Sequence, residues 1–268
     1  MSAIDTIASF QTTVGSTFAA GVMAGGDSAT IRNFPQASEA RLLAAFYDSV
    51  TSVQPWRVRS PLLHDNVQGI RFFPGQSPSQ VLLPRFAAQN LEPQDTLVFE
   101  LSTAAATGKA LGSLLVFYDS LPGAAARLYS PGDIRPLVKN IKPLVVTVGS
   151  GANTAGQWLD TLLTNTENLL HANTDYAVLG IVTDTAVASV AVKGIDTGNL
   201  RVGAPGTLNA DVTSEWFVRL SEWTGKPCIP VINAANAAGT FVSIISSAAT
   251  AAALDAQLIL AELSQNLA

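Results

Sequence analysis

Residues Tyr176 to Gly206 read YAVLGIVTDTAVASVAVKGIDTGNLRVGAPG. A stretch of equal length with turn residues at similar positions runs from Ala45 to Gly75 and reads AFYDSVTSVQPWRVRSPLLHDNVQGIRFFPG. Each contains a long apolar run, a polar turn, a short run around an arginine and a final Pro-Gly. The closing glycines are 131 positions apart. This period is too long for a solenoid repeat and is close to the size of a small domain. The repeat therefore predicts two similar domains in tandem.

The runs between turn residues alternate in polarity. Trp56 and Val58 share one face of such a run, whereas Arg57 and Arg59 share the other. Pro, Gly, Asn and Asp bound the runs, and about six to eight strands per half are typical of a jelly roll. We therefore predict an all-β fold of two tandem eight-stranded jelly rolls, with a short helix-like insertion in each and an N-terminal arm.

Composition shifts give the predicted boundaries. These are an arm at 1–28, a first jelly roll at 29–121, a proline-containing linker at 122–142 and a second jelly roll at 143–268. Apolar residues of the arm recur at near-helical spacing, so the arm is either an amphipathic helix or a mobile terminus.

Two local predictions concern the second half. Apolar residues between Trp158 and Leu170 predict its helix, and the alternation of Trp216, Val218 and Leu220 predicts a strand.

Charged residues make up 13% of the chain, against roughly 25% in ordinary soluble domains. Compositional bias, a thin β protein rich in small residues, or an outer surface covered by other copies would each produce this deficit. Residues 1–142 carry 11 Lys+Arg and 10 Asp+Glu, a net charge of +1, and residues 143–268 carry 4 and 10, a net charge of −6. Neither half has the basic field that sequence-specific nucleic-acid binding requires.

The single cysteine, Cys228, excludes a disulfide framework and indicates a small buried side chain. The N-terminal residues show no secretory signal. Pro227 to Leu254 carries no charge, but its Asn, Ser and Gly residues predict two buried strands and their turn instead of a membrane span.

The tripeptide Asp196-Thr197-Gly198 matches the core of aspartic proteases, whose chemistry needs two carboxylates that share a proton. The corresponding Asp65 is followed by Asn66-Val67 and so lacks the signature. A tight turn, in which Asp and Gly supply the backbone angles, explains the motif better.

Other candidate sites are weaker. The glycine spacing in Val145 to Gly156 departs from the dinucleotide-binding pattern. His64 and His171 lack neighbouring ligands for a metal. Two of the four tryptophans, Trp56 and Trp216, fall at inward-facing strand positions and predict core packing instead of a carbohydrate groove. The sequence therefore predicts no catalytic residue, cofactor or metal site.

Two tandem jelly rolls of about 130 residues, low charge, an N-terminal arm and the absence of a catalytic cluster resemble the double jelly-roll major capsid proteins of icosahedral viruses with an internal membrane. The tectivirus, corticovirus and autolykivirus groups are nearest in size. The resemblance covers residues 29–268 and rests on architecture. It implies a homotrimer whose six rolls form a pseudo-hexagonal tile with upright strands.

The resemblance further implies a virion protein made in the host cytoplasm, without enzyme activity. Its implied partners are neighbouring capsomers, penton and minor capsid proteins, and the inner membrane through residues 1–28. Deleting that arm would then impair assembly but not folding. The alternatives are a tandem β-sandwich binding module or fibre protein that recognises a carbohydrate or receptor and, third, an aspartic protease acting through Asp196.

Overall fold

A computed structural model describes residues 1–14, 19–20, 22–23, 30–49, 56–60, 62, 65–72, 79–82, 90–101, 108–149, 154–163, 169–206, 210–248 and 253–267. These residues form antiparallel sheets joined by turns and a few short helices. The prediction of an all-β protein is confirmed.

The strands of the first half form two sheets. Sheet A has the order β3-β1-β10-β4-β7, with β8 also paired to β4, and sheet B has the order β2-β9-β5-β6. The core between the sheets contains the stacked rings of Tyr47, Trp56 and Phe99. The strands are β1 (Ala3–Val14), β2 (Ala19–Ala20), β3 (Val22–Met23), β4 (Ala40–Ser49), β5 (Trp56–Ser60), β6 (Asp65–Phe72), β7 (Ser79–Leu82), β8 (Asn90–Leu91), β9 (Val98–Leu101) and β10 (Gly108–Tyr118).

The second half also forms two sheets, sheet C with the order β11-β17-β14-β19-β12 and sheet D with the order β13-β18-β15-β16. Its elements are β11 (Leu128–Tyr129), α1 (Pro131–Ile134), a 3₁₀ turn (Arg135–Leu137), β12 (Val138–Val148), β13 (Leu159–Leu162), β14 (Asp175–Thr183), β15 (Ser189–Lys193), β16 (Val202–Pro205), α2 (Ala210–Thr213), α3 (Trp216–Thr224), β17 (Ile229–Asn233), a 3₁₀ turn (Ala234–Gly239), β18 (Phe241–Ile245) and β19 (Leu254–Leu263).

The two halves share one strand order. Eight strands of each half, numbered along the chain, pair as 1-8-3-6 in one sheet and 2-7-4-5 in the other. These are β1, β2, β4, β5, β6, β8, β9 and β10 in the first half and β12 to β19 in the second.

A β-bulge occurs at the same place in both halves. It falls at Leu43, opposite Leu115 and Val116, and at Leu179, opposite Ile259 and Leu260. The internal repeat therefore joins equivalent strands. The repeat offset between β4 and β14 is 136 residues, the separation of Leu43 and Leu179. The offset of 131 residues read from the sequence is therefore out of register at these strands.

Contacts between the halves match the ends of their strands, because Lys226 binds Glu39 near one end of β4 and Ser247 binds Asp48 near the other. One end carries Met1, the connection between the halves and Leu267, since Met1 binds Leu121 and the C-terminal residues bind β14. We call this end the linker pole and the other the opposite pole. At the opposite pole the backbone N–H of Ser247 donates to Asp48 across the halves at 2.9 Å.

The predicted N-terminal arm is wrong for residues 3–14. These residues form β1, which lies between β3 and β10 in sheet A. Ile7 packs into the core of the first half and Ile4 into the core shared with the second half, so both faces of β1 are buried. The first structural unit therefore begins at Ala3 instead of residue 29, and deleting residues 1–28 would remove an interior strand.

The predicted linker at 122–142 is also corrected. Ser130 caps α1 with a capping box that includes Asp133, and β12 begins at Val138. The second unit therefore starts within the predicted linker, five residues before position 143, because the four prolines masked the onset of the strand.

In the second half, one predicted helix contains a strand and one predicted strand is a helix in the structure. Leu159–Leu162 is strand β13, not helix; residues 164–168 lie outside the described residues. Trp216–Thr224 is helix α3, not strand, and its buried residues Trp216, Phe217, Leu220 and Ser221 follow helical spacing.

Gly225, at a φ of 68°, ends α3 in the left-handed conformation that glycine adopts readily. Helices α2 and α3 are the insertion of the second half. The equivalent connection of the first half, in residues 73–78 and 83–89, lies outside the described residues.

Candidate assembly surface

The protease-like tripeptide lies in the turn between β15 and β16. The Thr197 hydroxyl is buried and bonds within the turn to Gly194 and Leu200, and Gly198 has a φ of 65°. The Asp196 carboxylate accepts hydrogen bonds from the Asn233 backbone at 2.9 Å and from the Asn236 side chain at 3.0 Å. These bonds hold the turn against β17, as the hairpin interpretation predicts.

A second carboxylate, Asp175, lies near this turn and pairs with Arg127. Arg127 lies between them, binding Asp175 with both terminal nitrogens and lying 3.7 Å from Asp196. Burial raises the pKa of Asp175, but hydrogen bonds from Arg127, Leu267 and Asn233 outweigh burial and lower it overall. The cluster therefore ties the connection between the halves and the C-terminal residues to β14. Asp65 lies at the start of β6, in sheet B of the first half.

In the described residues after the glycine-rich turn, the chain continues as a strand and not as the helix that phosphate binding would need. Strand β13 follows it, and Gly156 lies so close to Phe10 that an added Cβ would be 2.2 Å from the ring. Gly156 thus permits close packing between the two halves. Residues 150–153 of the turn lie outside the described residues.

Of the two histidines, His64 lies outside the described residues. His171 contacts Glu262, a buried carboxylate that also binds Lys142 at 2.8 Å and Lys139 at 3.1 Å. The hydrogen bond from Lys142, and those from Lys139 and His171, lower the pKa of Glu262 to about 2. Among the described residues no group of three or more His, Cys, Asp or Glu side chains could hold a metal.

The tryptophans form no common platform. Trp56 and Trp216 are fully buried, Arg201 covers Trp158 with its guanidinium 4.9 Å from the ring centre, and Trp223 is partly exposed on α3. Cys228 is buried, which raises the pKa of its thiol to about 12 and leaves it unreactive.

The outer face of sheet A, which points away from sheet B, is covered by the second half. The Thr6 hydroxyl donates to the Arg201 carbonyl at 2.8 Å, and the ring of Phe46 meets that of Trp216 edge-on at 5.6 Å. The ammonium of Lys226 lies 5.5 Å from the Phe117 ring. Phe10 on this face is partly buried. The following residues of this face on the three central strands are almost completely buried: Ile4, Thr6, Ala8, Leu43, Ala44, Phe46, Leu111, Ser113, Leu115 and Phe117.

The equivalent face of sheet C is covered by the α2–α3 insertion at Gly180 on β14 but is open along β12. The pairing of β12 with β19 matches that of β1 with β10, so Ile141, Pro143, Val145 and Thr147 correspond to Ile4, Thr6, Ala8 and Phe10. Ile141 is 48% exposed and Val145 is 44% exposed, whereas Ile4 and Ala8 are 0% exposed. We call Ile141, Pro143, Val145 and Thr147 the open strip.

The residues around the open strip repeat the correspondence. Leu179 is only partly buried, whereas its counterpart Leu43 is fully buried. Asp184 is exposed, and its counterpart Asp48 is the residue that accepts the hydrogen bond from Ser247. Along β12 the second half therefore presents a surface like the one that the first half buries on β1, and no other described residue of this chain covers it.

An apolar groove continues the open strip toward the linker pole. It has a volume of about 190 Å³ and is lined by the apolar Pro131, Ile134, Val138, Leu179, Val218 and Ile229 and by the charged Arg135 and Glu215. Val138, itself 38% exposed, begins the strand that carries the strip. The groove and strip together form one largely apolar surface, the type of surface that marks protein association.

Neither a scan against protein-family models nor a search of curated proteins finds a match for this chain. None of the helices in the described part of the chain is long and apolar enough to cross a membrane.

Sequence reasoning missed the open strip because it assigned Ile141 to the linker. A signal was present, since Leu144, Val146 and Val148 alternate with Val145 and Thr147. To recognise the strip, one must know which residues of β12 correspond to which residues of β1. Only the strand pairing provides this correspondence.

Proposed function

We propose that this chain is a major capsid protein, a structural and not a catalytic protein, and that each half is a jelly roll. The shared strand orders 1-8-3-6 and 2-7-4-5 support the jelly-roll assignment, because that fold places eight strands in two facing sheets. The matched poles of the halves support a double jelly roll with upright strands.

The observation that carries this proposal is the contrast between two equivalent faces. In the first half, Ile4, Thr6 and Ala8 are buried against the second half, whereas Ile141, Pro143 and Val145 in the second half are open. A contact that joins unlike surfaces generates a ring or a filament when it is repeated between copies. Three chains joined in this way supply the six rolls of a closed pseudo-hexagonal tile.

The tile would associate with neighbouring capsomers and with penton and minor capsid proteins in a virion shell. The chain would be made in the host cytoplasm and would not bind nucleic acid in a sequence-specific way. Its low charge fits a protein whose sides are covered by other copies.

The oligomeric mass in solution tests this proposal. Val145→Asp places a carboxylate in the open strip, and we expect it to reduce a trimer to monomers because the buried charge would lack a partner. The matched control is Ile195→Asp, since Ile195 is 58% exposed in a turn at the linker pole, away from the strip. We expect light scattering to give a trimer for the wild type and for the control.

A monomeric wild type at high protein concentration would contradict the proposal and favour the tandem binding module. A Val145→Asp variant that remains a trimer would also contradict it, because the strip would then lie outside the contact.

A further inference from the structure

The outer face of sheet B carries an arginine cluster. Arg57 and Arg59 lie on β5, and Arg71 lies opposite Arg57 on β6. Glu100 of β9 binds Arg57 and also accepts from Arg59 at 2.6 Å. The exposed Arg71 lies beside Arg57 on the next strand, so the three arginines lie together on this face.

The open strip ends in two carboxylates. Asp255 and Asp184 are exposed at the opposite pole, where the Thr147 hydroxyl donates to Asp255 at 2.7 Å and the Asp255 backbone donates to Asp184 at 3.0 Å. In the part of the chain that the structure describes, neither carboxylate forms a salt bridge. This end of the strip is therefore acidic.

The contact inside the chain indicates which surface matches the strip. There, the outer face of sheet A meets the β15–β16 side of the second half. The Thr6 hydroxyl donates to the Arg201 carbonyl and lies next to Gly203. The equivalent strands of the first half are β5 and β6, and these carry the arginine cluster.

The charges of the two surfaces are complementary. Arg57 and Arg71 lie toward the opposite pole. The other end of β5 lies near the linker pole, because Ser60 binds Asp95, Asp95 binds Ile31, and the neighbouring Arg32 binds Tyr118 at that pole. Asp184 and Asp255 lie at the opposite pole as well. Asp48, the counterpart of Asp184, already reaches across to the second half at that pole. The net charges of +1 for residues 1–142 and −6 for residues 143–268 favour the same pairing.

We propose that the open strip of one copy docks on the β5–β6 side of the next copy, with Asp184 and Asp255 facing the arginine cluster. This inference rests on the proposed trimer and names the partner surface within it. The apolar strip supplies the buried area, and the charges fix which surfaces meet and with which poles aligned.

Charge reversal tests the pairing. Arg71→Glu alone and Asp255→Arg alone are each expected to raise the dissociation constant of the trimer at least tenfold, because each places like charges together. The double variant is expected to return within about threefold of the wild type, since opposite charges again face each other. Asp119→Arg, an equivalent change at the linker pole, is the control and should leave the constant unchanged.

Analytical ultracentrifugation over a dilution series measures these constants, after circular dichroism has verified the fold. The pairing would be overturned if the single variants weakened the trimer and the double variant did not restore it. It would also be overturned if neither single variant nor the double variant changed the dissociation constant. Either result would leave the proposed trimer itself intact. A wild type that never forms a trimer would overturn both proposals. If a reversal variant does not fold, the wild-type constant must still rise with salt, and a salt-independent constant would overturn the pairing.

Discussion

Glu262 shows how a buried charge is kept in this fold. It is almost completely buried at the end of β19, and Lys139, Lys142 and His171 all contact its carboxylate. Hydrogen bonds to a charged group contribute more than neutral ones, and removing one partner leaves the others unpaired. The cluster therefore fastens the start of β12 to the loop that carries His171.

We predict that Glu262→Gln lowers the free energy of unfolding by about 2 kcal/mol at pH 7, because the charged hydrogen bonds to Lys142 and Lys139 are lost. The pKa of Glu262 is about 2 in the folded chain against 4.5 in the unfolded chain. Its stabilisation is therefore complete above pH 4.5 and is lost as the pH falls toward 2.

Denaturant titrations between pH 2 and pH 7 measure this effect. Glu222→Gln is the control, because the Glu222 side chain is 53% exposed and lies 3.8 Å from Arg135, so its loss should cost less than about 0.5 kcal/mol. A difference between Glu262→Gln and wild type that persisted at pH 2 would contradict the assigned pKa.

At the level of elements, the sequence predicted the strands in which buried residues alternate with solvent-exposed ones. Trp56 and Val58 point into the core of β5 while Arg57 and Arg59 remain outside, so the period of two was visible. In β1 both Ile4 and Ile7 are buried, on opposite faces, and this removed the alternation.

Helix α3 was missed for a related reason. From Trp216 to Leu220, apolar residues occupy both odd and even positions, so the sequence fits either a strand or a helix. Only the tertiary contacts show that the buried residues follow helical spacing. Local pattern therefore located elements with one solvated face and failed where packing on two sides, or a neighbouring half, determines burial.

We predict that Gly180→Ala displaces the α2–α3 insertion. A Cβ at position 180 would lie 2.1 Å from the Thr213 carbonyl oxygen, and forcing such an overlap costs roughly 1–3 kcal/mol. Gly239→Ala is the matched control, since a Cβ there meets nothing within 4 Å. Thermal melting should show a lower Tm for Gly180→Ala only. Equal melting of the two variants would show that α2 does not press on β14.

At the scale of the whole molecule, the two halves share one strand order, and the register of the repeat read from the sequence was displaced by five residues at β4 and β14. The low charge indicated a covered surface without locating it. Its location depends on the registers of β12, β14 and β19, which no local pattern encodes because Ile141 and Val145 resemble residues of an ordinary edge strand.

Electron microscopy of the purified protein, averaged without imposed symmetry, tests the central claim most directly. The open strip and the matched poles predict a closed ring of three 27.9 kDa chains, seen along the strands as six lobes of similar size. Two-lobed single chains, or open filaments in place of closed rings, would contradict the proposal that this chain builds pseudo-hexagonal capsomers.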